Sequence, residues 1–74
     1  MEMSKIMTKY EIEVIEYDST GYYFPKYKTI QKVVAESLEK AKKEAIKRTP
    51  MKHTSALWEQ KARVLTSEDV VIDV

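Results

Sequence analysis

Among the side chains that supply most enzyme chemistry, this sequence offers a single histidine, His53, and no cysteine. A thiol nucleophile, a disulfide and a thiolate metal site are therefore excluded together. An imidazole can serve as general base or metal ligand near neutral pH. His53, however, follows Pro50 in a loop with no serine marked beside it, and it reads as a solvated loop residue. One histidine among scattered carboxylates also lacks the spacing of a metal site. Glu11, Glu13, Glu16 and Asp18 form an acidic strand and turn. Paired carboxylates can do acid–base work or hold a divalent cation, but alternation explains Glu11 and Glu13 more simply, as the wet side of a strand. With one glycine in the chain there is no glycine-rich phosphate loop. The expectation is a protein without catalytic residues, bound metal or cofactor.

Charge is more informative. Residues 1–25 carry a net −3, residues 26–52 a net +6 and residues 53–74 a net −2, although the whole chain is only +1. The basic middle holds Lys26 and Lys28 at the start of a strand, and Lys40, Lys43 and Lys47 along a helix. Beside it lies the aromatic run Tyr22, Tyr23, Phe24 and Tyr27. Lysines neutralise phosphates and aromatic rings stack on unpaired bases, so these nine residues are the candidate binding surface, for nucleic acid among other partners. Helix lysines interleaved with Glu36, Glu39 and Glu44 are also ordinary solvent-facing chemistry.

The elements that position these residues follow from periodicity. Tyr10–Tyr17 alternates apolar and acidic residues in its first half, which predicts a half-buried strand with Ile12 and Val14 inward. Asp18-Ser-Thr-Gly21 is turn chemistry. A second strand spans Tyr27–Ala35, with the deepest burial expected at Val33–Ala35. Ser37 suits a helix N-cap, and Leu38, Ala41, Ala45 and Ile46 share one face of a helix running to Arg48. Thr49-Pro50 stops it. A third strand is expected from Leu57 to Leu65, with Trp58 on its apolar side, then a turn at Thr66–Asp69 and a β-branched final run, Val70–Val74; the pattern equally allows residues 66–74 to extend the third strand through a bulge. The expected fold is α+β, β-β-α-β-β, an antiparallel sheet with one helix packed on one face. Residues 1–8 are expected as a flexible lead-in and residues 9–74 as a single domain. Tyr17, Tyr27, Trp58 and Ile15 are candidates for the uncovered sheet face, which a dimer or a partner protein would cover.

A chain of 74 residues, 43% hydrophobic and 34% charged with mixed sign, is enough for one modest core. It contains no apolar run of membrane-spanning length and no signal-peptide pattern at its N-terminus, so a cytoplasmic location and no membrane partner are expected.

The segment Val33-Val-Ala-Glu-Ser-Leu-Glu-Lys-Ala-Lys-Lys-Glu-Ala45 ends a strand in alanine, caps a helix with serine and lines its inner face with alanines. Over these residues the chain resembles the archaeal-type ribosomal protein LX domain and small phage-encoded proteins. The first resemblance implies contact with ribosomal RNA, the second a host-directed or accessory interaction. The expected function is a non-enzymatic binding or adaptor protein, phage or mobile-element encoded, that acts through a protein partner or self-association. The alternative is a nucleic-acid-binding accessory protein using the lysine face and the aromatic loop.

Overall fold

Alternation builds the sheet, and one interruption of it sets the topology. The computed structural model describes residues 4–22 and 26–73. Among them β1 (Ser4–Asp18), β2 (Tyr27–Ala35), α1 (Leu38–Lys47) and β3 (Trp58–Asp73) follow in order. All pairing is antiparallel in the order β2-β1-β3, which places β1 at the centre. The class is α+β, but the order is β-β-α-β rather than the expected β-β-α-β-β.

The correction lies at Leu65. Ile12 pairs with Val64 and Glu11 with Thr66, so Leu65 is an extra residue bulged out of β3. A bulge shifts side-chain parity by one without ending the strand. Trp58, Gln60, Ala62 and Val64 share one face before it, and Ser67, Asp69 and Val71 continue that face after it. The polar run Thr66–Asp69 imitates a turn but is strand, because β1 is long enough to pair with it. β1 begins at Ser4, so residues 4–8 of the expected lead-in are paired, Ser4–Thr8 against Asp69–Asp73. β2 reaches only to the Thr8–Ala35 pair. Residues 4–7 and 70–73 thus form a two-stranded arm beyond the three-stranded body.

The core lies between the sheet and α1. Ile12, Val14 and Val33 are fully enclosed with Ala41 and Ala45, and Tyr10 closes one end. Alanines on the inner helix face let α1 lie close to the strands. Leu38 packs at the margin, whereas Ile46 remains exposed. Val33 is buried but its neighbour Val34 points to the other face and is exposed, as strand alternation requires. The Ser37 side chain accepts from the Lys40 N–H at 3.3 Å, with Glu39 in the first turn and Lys47 in the last. Thr49 then pins the helix end to both outer strands. Gln31 Nε2 on β2 donates to Thr49 Oγ1 at 2.9 Å, and Gln60 Nε2 on β3 donates to the Thr49 carbonyl at 2.6 Å.

The β1–β2 connection starts as expected. Asp18 accepts from both the N–H and the hydroxyl of Thr20, the Gly21 N–H closes on the Asp18 carbonyl, and Gly21 takes φ +74°. Among the described residues no helix is long and apolar enough to cross a membrane.

Candidate binding surface

Strand parity places a polar cluster on the core face of the sheet. Glu16 and Asp18 share the core face with Ile12 and Val14, so each needs partners there. Glu16 is 4% exposed and accepts from the Lys52 N–H at 2.7 Å, the His53 N–H at 2.9 Å and His53 Nδ1 at 2.5 Å. Burial draws its carboxyl upward. Hydrogen bonds from the Lys52 N–H, the His53 ring and the His53 N–H, with the charge on His53, outweigh that and hold it below the ordinary carboxylate value. An ionised carboxylate only accepts, so Nδ1 carries the proton facing it.

The same loop builds an aromatic column. His53 stacks on Trp58 at 3.6 Å between centroids and 5° between planes, Tyr27 lies 5.3 Å from His53, and the Lys52 ammonium sits 5.0 Å from the Tyr27 ring. Tyr27 and Trp58 therefore lie on the helix side of the sheet and not on its open face, where only Ile15 and Tyr17 of the four candidates are found. His53 is a clasp and not a free loop residue. An oriented imidazole is one part of a catalytic site. Among the described residues no hydroxyl or ammonium group is hydrogen-bonded to it.

The seven nominated residues that the structure describes are spread over more than one surface. Tyr23 and Phe24 lie outside the described residues. Lys40, Lys43 and Lys47 border a shallow groove of about 390 Å³ between α1 and Val33–Ala35 of β2. Lys40 pairs with Glu36 at 3.3 Å and Lys43 with Glu39 at 3.6 Å, which offsets part of their charge. Lys28 lies on the opposite face of the sheet, across from Ile15. Lys26 borders a hollow of about 450 Å³ at the Tyr17–Gly21 turn, near Lys61, and Tyr22 is exposed beside that turn. Tyr27 is spent on His53 and Lys52.

The uncovered sheet face is charge-laced. Glu11 and Glu13 run down its centre, with Lys28 and Lys32 on β2 to one side and Lys61 and Arg63 on β3 to the other. Arg63 reaches Glu13 at 3.1 Å, and with Ile30 across the other pairing it leaves Glu13 only 7% exposed. This face is built to meet water.

The sheet edges differ from each other. Along β2, Arg48 donates to the outward carbonyl of Lys32 at 3.0 Å and blunts the edge. Along β3, all sixteen residues have β1 as their sole strand neighbour among the described residues. The sequence left open whether residues 66–74 continue the third strand through a bulge, and the length of this edge depends on that continuation. No family model, curated protein or solved structure matches the chain.

Proposed function

We propose that the protein is a non-enzymatic binding module, of the phage or mobile-element kind, that works through protein–protein contact at the edge of its sheet. One observation carries this: a sixteen-residue strand with one side unpaired from end to end among the described residues. Outward N–H and C=O groups on such an edge are a template for another strand. The phage origin rests only on the resemblance of residues 33–45. The test is capture by tagged protein beside a Val71→Lys variant, which adds charge to the exposed end of the edge. A partner held by the parent and released by the variant supports the proposal. A partner held equally by both would falsify the edge as the contact surface.

A second reading has its own observation, the gathering of Lys40, Lys43 and Lys47 along one groove. It makes the protein a nucleic-acid accessory factor. Titration of labelled protein with mixed single-stranded RNA and DNA separates the two. Shifts at those lysines that vanish at high salt establish the nucleic-acid reading in place of the first.

A further inference from the structure

The geometry points to a second copy of this chain as the occupant of the β3 edge, in an antiparallel, two-fold pairing centred on the Leu65 bulge; this rests on the proposed edge-binding role. Charge selects that occupant over another strand, and the arm and the exposed area suit it. Glu59, Lys61 and Arg63 precede the bulge on the open face with a net +1, and Glu68 follows it on the same face with −1. An antiparallel copy in phase with both faces sets Arg63 opposite Glu68 of the second copy, twice over by symmetry. Lysines and bulges usually discourage edge pairing. Here the signs on the two sides of the bulge are opposite, so the strand repels a parallel copy and complements an antiparallel one.

The second feature is the arm. Two strands alone are marginal in water, and the arm leaves Ile6 68% and Val71 67% exposed as a cross-strand pair. In this pairing residues 70–73 of one copy lie beside residues 58–61 of the other. Each arm gains a third strand, and Val71 meets Gln60 on the helix side. The result is one six-stranded sheet, β2-β1-β3 continued by β3-β1-β2, with both helices on one face.

The third is area. The chain exposes 5637 Å², whereas a compact monomer of this mass exposes roughly 4,700 Å². The difference is close to the ~800 Å² each partner contributes to a standard interface.

Sedimentation across micromolar to millimolar concentrations, with the parent and a Glu68→Arg variant, tests the pairing. The expected result is a reversible dimer that the variant weakens at least about tenfold, because like charges then face each other twice. Contacts between isotopically labelled and unlabelled copies should map to residues 58–73. A folded parent that stays monomeric throughout overturns the self-pairing. So does a dimer that Glu68→Arg leaves unchanged. Neither outcome decides the capture experiment, in which any protein held by the parent and released by Val71→Lys still assigns the edge to protein contact.

Discussion

Glu16 shows how one side chain can organise a region with no regular structure. Its carboxylate ties the backbone at Lys52 and His53 to the centre of the sheet, and the stack on Trp58 follows. Replacing it by alanine leaves two N–H groups and an imidazole without their acceptor, so we expect a loss of about 2–4 kcal/mol in urea unfolding at pH 7. Unchanged stability would show that water replaces it freely. Its folded carboxyl titrates below the unfolded one. The stabilisation is therefore complete above the unfolded value and disappears as pH falls through the folded value. A Glu16→Gln variant should consequently lose less stability than the parent between pH 5 and pH 3, roughly the range in which carboxylates protonate. Parallel curves for the two proteins would remove Glu16 as the source. The parity of this residue was visible beforehand, since Glu16 follows Ile12 and Val14 at even spacing. What hid it was grouping by charge with Glu11 and Glu13, which face the other way. The acceptor role also requires a loop thirty-six residues distant, which no local pattern reports.

At the level of elements, legibility tracked the regularity of the local signal. β2 and α1 stand where alternation, the Ser37 cap and the Thr49-Pro50 stop place them. β3 was obscured because its period changes phase at Leu65, and Thr66–Asp69 has turn-like composition. The first residues of β1 carry no pattern of their own and are strand only because β3 continues beside them. Two expectations follow. Ser37→Ala should cost about 1 kcal/mol through loss of the cap to the Lys40 N–H, seen as a lowered midpoint in thermal unfolding. Deleting Leu65 should heal the ladder, because every other residue of β3 keeps both its partner and its face. We expect stability within about 1 kcal/mol of the parent, with amide spectra of Tyr10–Val14 moved but dispersed. A collapsed spectrum from this deletion would mean that the bulge is required for folding, not merely accommodated by it.

For the whole molecule the decisive ratio is core to surface. The chain extends 56 × 19 × 14 Å, with a radius of gyration of 15.3 Å, where a compact chain of this length would have about 11 Å. Six apolar residues are buried among those described, two of them alanine. So small a core, under a sheet that outruns its helix, leaves the isolated chain with little margin. If pairing along β3 supplies the remainder, folding and association are linked, and stability must depend on protein concentration. A hundredfold rise in concentration is worth about 2.7 kcal/mol per dimer. Set against an unfolding entropy near 2.1 cal/mol/K per residue over two chains, it should raise Tm by on the order of 8 °C. The Glu68→Arg variant should show a smaller slope and a lower Tm at every concentration. A parent Tm that is flat from 10 µM to 1 mM, roughly that hundredfold span, would mean that the single chain is self-sufficient. Its elongation would then have to be explained by the local strength of the β1–β3 ladder alone.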